Sequence, residues 1–153
     1  VLAGALAQLL HGAVQEAMSA DSAAGMPLDA LRLDALVPIP AGRGSLRERG
    51  FNPAGELAAA LSRRLETRLL RGVLRRRREN EARQSSLGRD ERLAATRGLY
   101  ECAHPLDGLR VGLVDDVMTT GSTADAAARA LLAAGAQGVM VLVAARTPAP
   151  RGV

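Results

Sequence analysis

The stretch from Val111 to Ala136, VGLVDDVMTTGSTADAAARALLAAGA, constrains this chain more than any other. The run LRVGLVDDV is the clearest strand in the sequence, and it carries two adjacent aspartates, Asp115 and Asp116, at its carboxyl end. Thr119, Thr120, Gly121, Ser122 and Thr123 follow. An alanine-rich segment then reads as a helix over 122–134, with Gly135 as its C-cap. A helix start offers free backbone N–H groups and the positive end of the dipole. The hydroxyls add donors, and Gly121 lets the backbone approach a ligand closely. The turn is therefore a phosphate cradle built without lysine. The aspartates cannot face that phosphate, because like charges repel. They can accept hydrogen bonds from hydroxyls or hold a magnesium ion. A ligand with a phosphate at one end and a pair of hydroxyls a few ångströms away satisfies both halves, and a ribose 5-phosphate is the natural candidate. The plain alternative is an Asp turn followed by a Ser/Thr helix cap. Each piece alone is common, but the ordered whole is not. The turn is not a Walker A loop, which needs Gly-Lys-Ser/Thr.

The rest of the chain supplies the frame. Residues 1–19 read as an amphipathic helix with Leu2, Leu6, Leu9, Leu10 and Val14 along one face. Residues 21–27 read as a loop. DALVPIP, 34–40, suits a buried strand closed by prolines. AGRGSLRERG, 41–50, is Gly- and Arg-rich without periodicity and reads as a loop. Asn52 caps a helix running to about Leu70, with Pro53 at its first position. GVLRR, 72–76, has strand character at its start. Residues 75–97 read as a long flexible basic loop, and loops of that length inside a domain are usually functional or disordered. Residues 99–103 and GVMVLVAAR, 138–146, read as strands. Strands alternating with helices imply an α/β fold, a doubly wound parallel sheet flanked by helices, in one domain spanning 1–153. Ligands of such sheets bind beyond the carboxyl ends of the strands.

Composition narrows the chemistry. All 20 basic residues are arginine, as codon bias in a GC-rich genome would give, so any role needing a lysine ammonium is excluded. The net charge of +4 is uneven. Residues 63–97 hold 12 arginines against 5 acids, while the remainder is net acidic, which points to an anionic partner in the middle segment. Phe51 and Tyr100 are the only aromatics, so the core is Ala, Leu and Val. Phe51 itself reads as core. Cys102 is the single cysteine and reads as a small buried residue; with no second cysteine, a reduced, cytoplasmic setting fits. No run reaches the roughly 18 apolar residues of a membrane span, so no membrane insertion is expected. The apolar start lacks the basic n-region of a signal peptide.

The segment DDVMTTGST resembles the PRPP loop of type I phosphoribosyltransferases. Upstream, VPIPAGRGSLRERGFNPAGELAAAL resembles the ComF family of competence proteins, whose pattern is a Val-Pro-x-Pro strand end followed by Arg-Gly-Phe-Asn. Gln84, Leu87 and Arg92, leading to Tyr100, continue it. The resemblance spans about Asp34 to Arg146. It implies a Rossmann-like sheet of the type I phosphoribosyltransferase kind that binds PRPP with Mg2+. Asp115 and Asp116 would hold the ribose hydroxyls and the metal, and would stabilise an oxocarbenium-like state if the site is catalytic. Thr119, Thr120, Gly121, Ser122 and Thr123 would take the 5-phosphate. Arg43, Arg47 and Arg49, after VPIP, would face pyrophosphate. Pro53 stands where the family has Gln, Glu81 where it has Thr, and Ala95 where it has Asn. These departures bear on loop contacts and catalysis more than on PRPP binding. ComF proteins often carry an N-terminal cysteine zinc module, absent from these 153 residues.

Arg75, Arg76, Arg77 and Arg78 form the remaining feature. A solvated charged face is the simple reading. The functional readings are closure over pyrophosphate or contact with single-stranded DNA, and with so few aromatics a DNA contact would be charge-driven and sequence-tolerant. Three functions follow. The first is a ComF-like protein that binds PRPP and acts in DNA uptake alongside uptake proteins. The second is a non-catalytic adaptor for DNA or a protein partner, regulated by PRPP. The third is a nucleobase salvage phosphoribosyltransferase.

Overall fold

The structure, a computed structural model, describes residues 2–23, 32–77 and 98–147. Its centre is a parallel sheet of four strands in the order β2–β1–β5–β6. The strands are β1 (Ala35–Pro38), β2 (Arg68–Leu69), β5 (Arg110–Met118) and β6 (Gly138–Arg146). β1 lies between β2 and β5, with Leu36 opposite both Leu69 and Gly112. β6 pairs with β5 along nearly its whole length, including Asp115 opposite Val143. A separate antiparallel ribbon joins β3 (Leu74–Arg76) to β4 (Tyr100–Cys102).

Helices cover both faces, as a parallel sheet requires. On one face α1 (Leu2–Ala23) packs against α3 (Pro53–Leu65), burying Ala7, Leu10, Val14, Leu57, Ala58 and Leu61 over Leu36, Val114 and Leu142. On the other, α4 (Ser122–Ala133) and the β3–β4 ribbon bury Ala124, Ala127, Leu131, Leu74 and Tyr100 over Val37, Val111 and Leu113. Alternation along β5 explains the split. Odd-numbered Val111 and Leu113 face α4, and even-numbered Val114 faces α1 and α3. With almost no aromatics, the core is filled by Ala, Val and Leu side chains.

Several expectations need correction. The leading helix runs on to Ala23, so residues 21–23 of the expected loop are helical, and the rest of that loop lies outside the described residues. Its buried stripe is Ala7, Leu10 and Val14, while Leu2 and Leu9 are about 70% exposed. The segment 41–50 is not all loop, because Arg43–Arg49 form a helix, α2. Gly50 ends it at φ 75°, its N–H bonded to the carbonyl of Leu46. The run Leu-Arg-Glu-Arg closed by that left-handed glycine was the legible signal. α3 stops at Leu65 rather than near Leu70. Glu66 turns left-handed, at φ 51°, and the Ser62 hydroxyl donates to the carbonyl of Thr67 at 2.6 Å. No glycine or proline marks that stop, so nothing local announces it. Arg68 and Leu69 are then free to pair with β1. The C-cap of α4 is Ala134, with Gly135 following. Arg75 and Arg76 belong to a strand, not to the expected flexible loop, whose residues from Arg78 to Arg97 lie outside the described residues. Among the described residues no helix is long and apolar enough to cross a membrane.

Candidate functional site

Three chain excursions meet at the carboxyl edge of the sheet. β5 delivers Asp115 and Asp116 and runs on through Met118 into the turn. Met118 packs against the core, its sulfur 3.6 Å from where a side chain on Gly121 would begin. Gly121 sits at φ 82°, a conformation that costs an L side chain about 1 kcal/mol. That left-handed residue reverses the chain into α4, whose first helical bond runs from the Asp125 N–H to the carbonyl of Gly121. The Thr120 and Ser122 hydroxyls are 2.9 Å apart. Thr119, Thr120, Ser122 and Thr123 are all exposed. The Ser122 N–H donates to the Thr120 hydroxyl at 3.4 Å, while the N-cap residue Gly121 offers no side-chain acceptor to the rest of the first turn.

Asp115 is only 9% exposed, and it carries no salt bridge among the described residues. The backbone N–H of Asp116 donates to its Oδ1 at 3.0 Å. Burial, with a hydrogen bond to the Asp116 side chain and repulsion from its charge, pushes the Asp115 carboxyl up to about 6. The backbone hydrogen bond opposes the shift without cancelling it. A cation bound beside it would favour the ionised carboxylate and oppose that shift.

β1 supplies the second excursion. Ile39 donates its N–H to the carbonyl of Val114, one residue before Asp115. Pro40, lacking an N–H, cannot extend the ladder. The chain then passes Gly42 into α2, where Arg43, Arg47 and Arg49 are all exposed. Asn52 closes the excursion. It sits at the N-cap of α3 but does not cap it; instead its Nδ2 donates to the carbonyl of Ile39 at 2.9 Å. Phe51, expected in the core, is 51% exposed and borders a cavity of about 260 Å3 with Pro38, Pro40 and Arg71.

The ribbon is the third excursion, and sequence reasoning missed its contribution. Tyr100 is buried, and its hydroxyl is pushed up by burial, pulled down by the Arg76 guanidinium and pushed up by the Asp115 carboxylate. Tyr100 is thereby an electrostatic neighbour of both Arg76 and Asp115. The aromatic at position 100 was the only available signal. Of the four-arginine run, Arg75, Arg76 and Arg77 are exposed, and Arg78 lies outside the described residues. Cys102 is half-buried rather than fully buried.

Residues 45–153 match the family model described as "Phosphoribosyl transferase domain". The chain belongs to that family. It is 38% identical over 105 residues to the competence protein ComFC of Bacillus subtilis, covering 65% of this chain and 39% of that protein. It is 34% identical over 146 residues to the DNA utilization protein YhgH of Salmonella typhi, covering 95% of this chain and 61% of that one. The ComF resemblance of the sequence is borne out by these relatives, and the chain spans less than two thirds of their lengths. A solved structure described as a glutamic acid mutant, from an analysis of an invariant aspartic acid in HPRTs, aligns with a TM-score of 0.51. It is 12% identical and covers 94% of this chain and 77% of its own, a likeness of fold alone. The phosphoribosyltransferase-family chain thus has the parallel, helix-flanked sheet of the type I enzymes, with β5, β1 and the ribbon converging at its carboxyl edge.

Proposed function

We propose that this phosphoribosyltransferase-fold chain binds PRPP with Mg2+ and serves DNA uptake. One observation carries the ligand reading: a buried carboxyl, Asp115, beside Asp116, four residues before a helix-entry turn of exposed hydroxyls. The Thr119–Thr123 turn takes the 5-phosphate through first-turn N–H groups and the Thr120 and Ser122 hydroxyls. Asp115 and Asp116 accept from the two ribose hydroxyls. Arg43, Arg47 and Arg49 lend positive charge on the pyrophosphate side.

Magnesium fits this donor set. It is usually held by one or two carboxylates together with ligand oxygens rather than by a protein cage. Among the described residues there is no cluster of three or more His, Cys, Asp or Glu. Asp115 and Asp116 are the residues that would hold it. When bound, it neutralises charge on the diphosphate and orients the ribose hydroxyls. If the site is catalytic, the carboxylates also stabilise positive charge at C1 as the bond to pyrophosphate breaks.

Thermal unfolding of the purified protein tests the reading, with PRPP, with Mg2+, with both and with neither. PRPP with Mg2+ raises Tm, and Asp115→Asn/Asp116→Asn abolishes the rise. A wild-type protein that PRPP does not stabilise sinks the proposal.

Relatives whose names refer to competence and DNA utilization favour a second contact, with single-stranded DNA. Arg75 and Arg77, exposed on the ribbon, are the candidates, and each neutralised phosphate steepens the salt dependence of binding. Gel shifts at two salt concentrations compare wild type with Arg75→Ala/Arg77→Ala. Equal binding by the two proteins removes the ribbon as the DNA contact.

A further inference from the structure

The two edges of the central sheet are finished differently. β2, at one edge, is two residues long and carries Arg68, so it offers little to a further strand. β6, at the other, is nine residues long and reads GVMVLVAAR. It holds no proline, and its one charge is Arg146, the last residue. Among the described residues nothing pairs with its outer side.

The ladder of backbone bonds fixes which residues are left open there. The Ile39 N–H donates to the carbonyl of Val114, so Val114 turns its backbone groups toward β1. Leu113 and Asp115 therefore turn theirs toward β6, where they meet Leu142, the residue opposite Val114. Val141 and Val143 flank Leu142, so their N–H and C=O groups point at the open edge, and those of Val139 do the same. The Val141 side chain is 39% exposed, and Val139 and Val143 are half-buried. A long apolar strand with a row of unpaired backbone groups is a template for another strand.

We propose that β6 pairs antiparallel with β6 of a second copy of this chain, joining two four-stranded sheets into one continuous sheet. The strand is complementary to itself. With the two-fold axis at Val141, that residue faces its own counterpart and Val139 faces Val143, so apolar side chains meet and no like charges are opposed. Arg146 then comes level with Ala136 of the second copy. Ala136 follows Gly135, beside which the Asp107 carboxyl lies. Arg146 and Asp107 are both exposed, and neither has a salt bridge among the described residues. The symmetry therefore brings opposite charges together twice. Because the paired strands run in opposite directions, the two candidate sites open on opposite edges of the joined sheet. The inference does not depend on the PRPP reading.

Sedimentation velocity on the purified chain at tens of micromolar tests this with wild type, Val141→Lys, Val141→Glu and Leu9→Lys. Wild type sediments as a dimer. A charge at position 141 faces its like across the axis, so each of those two variants sediments as a monomer, its dimer Kd raised about tenfold or more. An equimolar mixture of the two restores the dimer, because opposite charges then face each other, and that rescue also shows that both variants are folded. Leu9, 71% exposed on α1, controls for the loss of an exposed apolar side chain, and Leu9→Lys stays dimeric. A monomeric wild type overturns the proposal. So does a dimer that survives either charge at position 141, or a mixture that stays monomeric.

Discussion

The backbone N–H of Asp116 donates to Oδ1 of Asp115 at 3.0 Å, although a strand sends consecutive side chains to opposite faces. The Asp115 carboxyl folds onto the backbone of the next residue, buried beside a half-buried second acid. A carboxyl pushed up to about 6 is the result.

That shift gives the ligand-free protein a pH dependence. The folded carboxyl binds its proton more tightly than the unfolded chain, where the value is 3.8. The group therefore adds stability as pH falls from about 6 toward 4, and that stability is lost as pH rises through the same window. Asp115→Asn should flatten the profile and raise Tm at neutral pH by the equivalent of about 1–2 kcal/mol. Calorimetry across the window checks it. An unchanged profile in the variant would place the titration elsewhere.

PRPP with Mg2+ should show the opposite trend, since it needs the ionised pair. Its affinity should fall below about pH 6 in wild type. Titrations at two pH values on either side of that point are sufficient, and a pH-independent affinity contradicts the carboxylate role.

Gly121→Ala tests the phosphate turn. The new methyl has room beside Met118, but φ 82° strains any L residue. A loss of about 1 kcal/mol in stability is expected, with weaker binding of inorganic phosphate and ribose 5-phosphate alike. Stability loss with intact phosphate affinity would mean that the turn tolerates distortion.

Asn52→Ala separates anchoring from capping. Its side chain ties the start of α3 to the carbonyl of Ile39, so removing it frees one partly buried acceptor, worth about 1 kcal/mol. The effect on ligand should be larger for PRPP than for ribose 5-phosphate, because the released segment carries the pyrophosphate-side arginines. Equal effects on the two ligands would assign Asn52 to stability alone. Asn52→Asp, which cannot donate there, should resemble the alanine variant.

Gly112→Ala probes the packing behind the site. A methyl there would meet Leu36 Cδ2 at 2.5 Å, Leu33 Cδ1 at 3.0 Å and Leu142 Cδ1 at 3.1 Å. Overpacking of this kind costs about 1–3 kcal/mol, toward the low end here because the neighbours are methyl ends of side chains. Chemical denaturation measures it, and a neutral result would show that these leucines repack freely.

Much of the site could be read directly. The strand, the carboxylate pair, the hydroxyl turn and α4 are contiguous, and each is specified by residues a few positions away. Hydrophobic run, glycine and helix-forming alanines act locally, so the sequence by itself determined β5, the turn, α4 and β6. Pro53 at the first position of α3 was legible for the same reason. The end of α3 was not, because Glu66 takes a left-handed conformation that its residue type disfavours and that the Ser62–Thr67 contacts support. Only the tertiary structure decided which arginine lies opposite Tyr100. A row of four identical residues carries no phase, and the pairing of Arg76 with Tyr100, across 24 residues of chain, sets it. Burial of Asp115, the exposure of Phe51 and the reach of Arg76 to Gly42 are likewise properties of packed neighbours. Local propensity chooses elements; desolvation and proximity between distant segments give their side chains a charge state and a direction.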